Sequence, residues 1–243
     1  MKKNNAVHLI LQGKGGVGKS LVSSFLAQFF YDQNERVVTC FDTDPVNQTF
    51  TNYKSLKAIH LPLLENSKIN ERNFDALLER LLSDEGVFIV DNGSSSFVPL
   101  SNYIIENNVI AMLKDAGRDV YVHCVVTGGQ ALLDTLSGFK ALAEQFNSKN
   151  VVVWLNEYFG AIELDGKKFT DMKAFTENAD KVLGMVKIVK RNQDTFGADI
   201  EDMTARKLTF DEAIKSADFS LMAKQRVKIV QKDIFTQLAE VGF

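Results

Sequence analysis

The sequence predicts an α/β fold, a three-layer arrangement with a mostly parallel central sheet and helices on both faces. Three observations predict it. Six short apolar runs rich in valine and isoleucine, at residues 7–11, 37–41, 87–90, 120–126, 151–155 and 182–189, show little polar alternation. Strands covered on both faces read this way. Helix-like segments alternate with these runs, as in a sheet built by crossover connections. Polar residues and glycines follow the apolar runs directly, where open α/β sheets hold their ligands.

Taken in order, the run 7–11 delivers the chain into Gly13-Lys14-Gly15-Gly16-Val17-Gly18-Lys19-Ser20, and Lys19–Asp32 reads as a helix. The second strand, 37–41, ends in Asp42-Thr43-Asp44-Pro45. Residues 54–72 carry no single pattern; 59–64 reads as an edge strand, because Pro62 cannot donate to a ladder. A helix over Asn73–Ser83 leads to the third strand, 87–90, which closes on Asp91-Asn92-Gly93. The fourth, 120–126, runs into Thr127-Gly128-Gly129-Gln130 and a helix over 129–146. The fifth, 151–155, ends at Asn156, and a helix over 171–179 precedes the sixth, 182–189. Helices over 194–206, Phe210–Lys215 and 219–241 complete the chain.

The 243 residues, 45% hydrophobic and with a net charge of −3, suit a single domain over 1–243 and impose no bulk attraction to nucleic acid or anionic lipid. No secretory pattern is read in Met1-Lys2-Lys3-Asn4-Asn5, and no apolar run approaches the ~20 residues that span a bilayer. Cys40 and Cys124 sit inside strand-like runs and read as buried free thiols of a reducing compartment. A cytoplasmic protein without stable membrane insertion is expected. Three prolines, no repeat and no linker fit one continuous unit.

The loop Gly13–Ser20 carries the strongest chemical signal. Between a strand and a helix, its glycines let backbone N–H groups turn toward phosphate oxygens, and the helix adds the positive end of its dipole. Lys19 is the residue expected to reach the β- and γ-phosphates, and the Ser20 hydroxyl to ligate Mg2+. Lys14 is a second lysine in one loop, which points to a second subunit. Asp42 and Asp44 follow a strand and would face the phosphates, Asp44 by positioning a water or holding metal and Asp42 by holding metal-bound water; the plainer reading is an Asp-Pro turn. Asp91, after four apolar residues, matches the second metal-binding element of phosphate-loop NTPases, with Gly93 offering its N–H to the γ-phosphate. A strand-ending turn is the alternative there. Asn156 has one donor and one acceptor to match the edge of adenine. Thr127-Gly128-Gly129-Gln130 lacks a lysine and reads as a tight turn. Trp154 and the histidines His8, His60 and His123 read as core residues, not as ligands.

Lys14-Gly15-Gly16-Val17-Gly18-Lys19-Ser20 together with Asp42-Thr43-Asp44-Pro45 resembles the deviant Walker A ATPases of the ParA/MinD type. The resemblance runs over nearly the whole chain, through Leu208-Thr209-Phe210-Asp211-Glu212-Ala213. It is narrower still toward the ParA-like proteins of conjugative-plasmid transfer regions. Asp91-Asn92-Gly93-Ser94-Ser95-Ser96-Phe97-Val98-Pro99-Leu100 and Val125-Val126-Thr127-Gly128-Gly129-Gln130-Ala131-Leu132-Leu133-Asp134 carry that part.

The resemblance implies a P-loop NTPase that binds ATP with Mg2+ across Gly13–Ser20 and pairs face to face with a second copy. Lys14 would cross to the partner's phosphates. Lys19, Ser20 and Asp91 would hold phosphates and metal, Asp44 would orient the attacking water, and Asn156 would contact the base. Slow hydrolysis would time the dimer, often under a partner protein. The function expected is therefore a dimerising switch ATPase, bacterial and plasmid-encoded, whose partner is a conjugation or plasmid-maintenance protein. Two alternatives belong to other classes. One is a nucleotide-dependent DNA-binding protein using Lys224, Arg226, Lys228 and Lys232; the other is a small-molecule kinase or ligase on the same fold. Two positions depart from the family pattern: Val46 stands where partition ATPases carry Gln, and Asn92-Gly93-Ser94-Ser95-Ser96 stands where prolines are common. The cysteines do not suit a cluster shared between subunits, and the apolar stripe of 219–243 suits the core better than a membrane anchor.

Overall fold

In the computed structural model, which describes residues 5–33, 37–65, 68–145 and 149–243, valine-rich runs become strands wherever both their faces are covered. In chain order the strands are β1 (Asn5–Ile10), β2 (Val38–Asp42), β3 (Ile59–His60), β4 (Leu64–Glu65), β5 (Lys68–Ile69), β6 (Val87–Asp91), β7 (Arg118–Thr127), β8 (Val151–Asn156), β9 (Glu163–Leu164), β10 (Lys167–Lys168) and β11 (Val182–Ile188). Seven of them form one parallel sheet in the order β11-β8-β7-β1-β6-β2-β3. The pairs β4–β5 and β9–β10 are small two-stranded antiparallel sheets. β1 is central: the chain leaves it toward β2 and β3 on one side, returns through β6, and continues to β7, β8 and β11 on the other. The loop after β1 therefore stands where the strand order reverses, the usual position of a ligand crevice.

The helices are α1 (Lys19–Asp32), α2 (Asn73–Ser83), α3 (Phe97–Glu106), α4 (Val109–Asp115), α5 (Leu132–Gln145), α6 (Lys173–Thr176), α7 (Ala198–Ala205), α8 (Phe210–Lys215) and α9 (Leu221–Val241). They cover the sheet in two layers. Val7, Leu9, Phe41, Phe88 and Val122 face α2, α3, α4 and α5 through Leu77, Leu100, Leu113 and Phe139. Ile10, Cys40, Ile89 and Trp154 face α1, α8 and α9 through Phe25, Phe210, Val227 and Ile234. Each side chain of this size fully removed from water contributes ~1.5–3 kcal/mol. The stripe Val227, Val230, Ile234, Leu238 and Val241 is spent on this second core.

Several boundaries move. α5 is preceded by a 3-10 turn, Gly129–Ala131, so the helix proper begins at Leu132; the expected end at residue 146, and the first four residues weighed for a secretory signal, lie outside the described residues. The helix expected over 171–179 contracts to the four residues of α6 between 3-10 turns. That over 194–206 splits into a π turn, Gln193–Gly197, and α7. α3 and α4 were not expected at all. The edge strand is only Ile59–His60, and the chain leaves the sheet before Pro62.

His8 and His123 are core residues. His8 Nδ1 and His123 Nε2 lie 2.9 Å apart, and Trp154 Nε1 donates to His123 Nδ1 at 3.0 Å. With Nδ1 accepting, the proton of neutral His123 sits on Nε2, aimed at His8. Both cysteines are free and buried. Among the described residues no helix is long and apolar enough to cross a membrane.

Candidate functional site

The residues singled out in the sequence converge beyond the carboxyl ends of β1, β2, β6 and β8. Gln12 pins the root of the loop: its buried amide donates to Val125 O at 2.9 Å and Thr135 O at 3.2 Å. From there Gly13–Ser20 wraps into α1 with Gly16 at φ 74° and Gly18 at φ 106°, a region that favours glycine. Gly18 is the N-cap residue of α1 and no side chain caps the helix. A helix N-terminus left with bare N–H donors and a positive dipole end fits phosphate oxygens. Lys19 lies buried beneath the loop, its Nζ donating to Lys14 O at 3.0 Å. Burial lowers its pKa, while Asp91 and Asp44 pull it back up. A cleft of about 630 Å³ opens above, lined by Gly15, Gly16, Lys19, Ser20, Asp44 and Ser94 among others.

Asp91 ends β6 and is buried; Ser23 Oγ donates to its Oδ1 at 2.9 Å, with the Ser20 hydroxyl also beside it. Burial pushes its pKa up to about 7, and neighbouring Asp42 adds to the rise against the opposing pull of Ser20, Ser23 and Lys19. A buried carboxyl short of counter-charge, next to a hydroxyl at a phosphate loop, is a hard-oxygen donor set that fits Mg2+. Asp42 is employed otherwise. Its Oδ1 accepts Asp44 N at 3.0 Å, and its Oδ2 accepts Phe50 N at 3.0 Å and Thr51 N at 3.1 Å. Three backbone donors thus occupy the carboxylate expected to hold metal-bound water. Asp44 reaches the cleft wall while its Oδ1 accepts Val46 N at 2.9 Å and Asn47 N at 3.0 Å, so the Asp-Pro turn and the cleft position coexist. Gly93 is buried against it: a Cβ there would stand 2.6 Å from Asp44 Cγ.

Asn156, at the tip of β8, grips the loop. Its Nδ2 donates to Val17 O at 2.9 Å, and its Oδ1 accepts Tyr158 N at 3.1 Å. One N–H and one lone pair remain. Asn156 lines a cavity of about 240 Å³ that shares Gly16 and Gly18 with the cleft and is walled by Phe159, Phe196 and Ile200. Its rim is drawn together by Glu201, which accepts from the Tyr158 hydroxyl and from Gln193 Nε2.

Lys14 points outward and pairs with Asp134 of α5 at 2.7 Å, both side chains about half-exposed. Thr127-Gly128-Gly129 is a packing turn, as expected: a Cβ on Gly128 would lie 2.3 Å from Gly160 O and 2.4 Å from Ala161 O. A further expectation is corrected. Arg226 is not part of an open basic face, because its guanidinium is bonded to Asp199 of α7. Asp134, Ser23 and the aromatic wall were missed. Asp134 stood inside a quoted motif, but nothing local marks its pairing with Lys14.

Fold and site together define a nucleotide-binding protein: a parallel sheet, a glycine loop at the switch point, a buried lysine and acids at neighbouring strand tips. Residues 8–213 match the CobQ/CobB/MinD/ParA nucleotide binding domain, and the chain belongs to that family. Within it, the chain is 48% identical over 233 residues to Protein TraL of Escherichia coli, covering 96% of each. Its fold is that of MinD cell division protein from Aquifex aeolicus, with a TM-score of 0.54, 15% identity and 97% of each chain covered. The septum site-determining protein MinD of Pyrococcus horikoshii, complexed with Mg-ADP, superposes with a TM-score of 0.50 at 16% identity, over 97% of this chain and 98% of that one.

Proposed function

We propose that this protein is an ATP-dependent, dimerising switch ATPase, working as one unit over residues 1–243 in the bacterial cytoplasm. The observation that carries this is the division of labour between two lysines of one loop. Lys19 is buried under the loop and serves its own phosphates. Lys14 is half-exposed and pairs with half-exposed Asp134, a position from which it could reach a second molecule. Val98 (60% exposed) follows Phe97, whose ring lies beside Gly13, and Leu133 (61% exposed) precedes Asp134, so exposed apolar residues neighbour in sequence the groups that meet the loop and Lys14. A second copy would cover them.

In this reading the loop amides and Lys19 bind the ATP phosphates, and Ser20 and Asp91 hold Mg2+, which neutralises phosphate charge when bound. Asp42 acts one layer back, by shaping the turn that carries Asp44. Asp44 orients a water whose oxygen bonds the γ-phosphorus as the bridging oxygen departs with ADP. Lys14 of the opposite copy neutralises the charge that develops there. Asn156 steadies the loop and presents its remaining N–H and lone pair to the base. The kinship with TraL and the transfer-region resemblance support a role in conjugative transfer or plasmid maintenance, through a partner protein that the nucleotide state recruits. The test is equilibrium binding of a fluorescent ATP analogue together with phosphate release. Wild type binds and turns over slowly; Lys19→Ala loses binding at least tenfold. Equal binding by both proteins contradicts the assignment.

One observation favours a second reading for the same switch. Lys228 and Lys232 are exposed on α9 and Lys224 is partly so, one turn apart, and none forms an ion pair among the described residues. Such a stripe suits the DNA backbone. Nucleotide-dependent DNA retention that falls steeply with salt supports it, and salt-insensitive or absent retention rules it out.

A further inference from the structure

The segment after β6, where this chain carries Asn92-Gly93-Ser94-Ser95-Ser96, is hydrogen-bonded into the segment after β2 by buried side chains. Asn92 Oδ1 accepts two hydroxyls, Thr43 Oγ1 at 3.0 Å and Ser96 Oγ at 2.7 Å. Each hydroxyl has one proton, and its shortest contact is to Asn92 Oδ1, although Thr43 Oγ1 also lies 3.1 Å from Asp91 O and Ser96 Oγ 3.2 Å from Gly93 O and 3.4 Å from Thr43 O; Asn92 Nδ2 donates to Gly93 O at 3.1 Å. Thr43, Asn92 and Ser96 are each at most 1% exposed. Ser96 is the N-cap residue of α3, where serine ordinarily caps its own helix; here the hydroxyl makes no cap bond and turns to Asn92 instead. The backbone continues the seam, with Thr43 N donating to Asp91 O at 2.9 Å. Gly93 then rests on Asp44 itself, with no room for a Cβ. At the far end Ser94 Oγ lies 3.4 Å from where a Cβ on Gly15 would stand.

We propose that Thr43, Asn92 and Ser96 form a clasp that joins the two strand-end segments into one moving body, and that they are the positioning residues for Asp44. A buried polar network is costly to leave partly unmade, and removing one member leaves the Asn92 carbonyl oxygen one donor short, so the groups are expected to respond together. A displacement of Ser94 against the loop is passed through Asn92 and Gly93 to the Asp44 turn. This deepens the ATPase reading and rests on it for the kinetic consequence, but the clasp itself is measurable without turnover.

The experiment substitutes one segment and reads the other. Hydrogen exchange is followed at the amides of Val46, Asn47, Phe50 and Thr51, which bond to Asp44 and Asp42. Ser96→Ala, on the segment after β6, is expected to speed their exchange at least tenfold, and Thr43→Val to do the same at residues 94–97. Thr43→Ser restores the wild-type pattern. In turnover, Ser96→Ala lowers kcat at least tenfold with KM within threefold, and the double variant is no worse than the poorer single. Should Thr43→Val fail to fold, Ser96→Ala carries both arms. Exchange that rises only beside the substituted residue, or kcat within threefold of wild type, overturns the clasp. A wild type that binds ATP without hydrolysing it contradicts the ATPase reading alone, and the exchange arm still decides the clasp.

Discussion

Lys14 pairs with half-exposed Asp134, and at that exposure an ion pair is worth at most ~1 kcal/mol. Asp134→Ala should therefore leave the melting temperature nearly unchanged while tightening ATP-dependent pairing, since the lysine no longer has a competing carboxylate in its own chain; equilibrium sedimentation of the variant reads this, and weaker pairing speaks against Lys14 acting across an interface. His123 offers a pH-dependent prediction. Burial depresses its pKa from 6.5 to about 3. Below about pH 6.5 the unfolded chain takes a proton that the folded one refuses, so this contribution is complete above that pH and falls on acidification, by up to ~1.4 kcal/mol per pH unit. Buried Asp91, raised to about 7, works in the opposite sense, favouring the folded apo-protein as pH falls from about 7 toward 4. His123→Asn should flatten the acid side of a stability-versus-pH curve, and an unchanged slope would remove His123 as its source. At this scale the glycine loop, Lys19 and the strand-tip acids were legible because each lies in a contiguous motif. The bonds Asn156–Val17 and Gln12–Val125 join residues 139 and 113 positions apart, and no local pattern encodes them.

Among elements, the parallel strands were readable because burial on both faces demands unbroken apolar runs. α3 was not, because Ser94-Ser95-Ser96 and Pro99 look like a loop; yet proline is tolerated in a first helical turn, where its missing N–H has no partner to lose. α4 follows after Asn108 in the left-handed region, a break that blurs helical periodicity. The glycine turn at Gly128 and the strand-tip Asn156 separate by test. Gly128→Ala drives a Cβ into the carbonyls of Gly160 and Ala161 and should lower the melting temperature by roughly 5 °C or more while nucleotide affinity, corrected for unfolded protein, stays within threefold. A selective loss of affinity would mean that the turn binds phosphate after all. Asn156→Ala should do both, costing ~1–3 kcal/mol of stability through the unpaired Val17 carbonyl and weakening nucleotide binding as the loop loosens. Calorimetry on the same sample measures the two together.

For the molecule as a whole, the seven-stranded sheet is packed on its two faces by separate helical layers, and in the proposed function the segments above its strand tips would respond to nucleotide. The α/β architecture was legible in the sequence because alternation is repeated along the entire chain. The fate of α9 was legible only in part: its apolar stripe closes the second core, as the pattern suggested, but Arg226 is tied to α7. Sedimentation velocity tests most directly whether nucleotide is a signal of association. With ATP and Mg2+, wild type should move from monomer to dimer and return as ATP is consumed, and Lys14→Ala should bind ATP yet remain monomeric. A wild type that stays monomeric at high protein concentration with ATP bound, or a Lys14→Ala variant that dimerises as readily, would contradict the account.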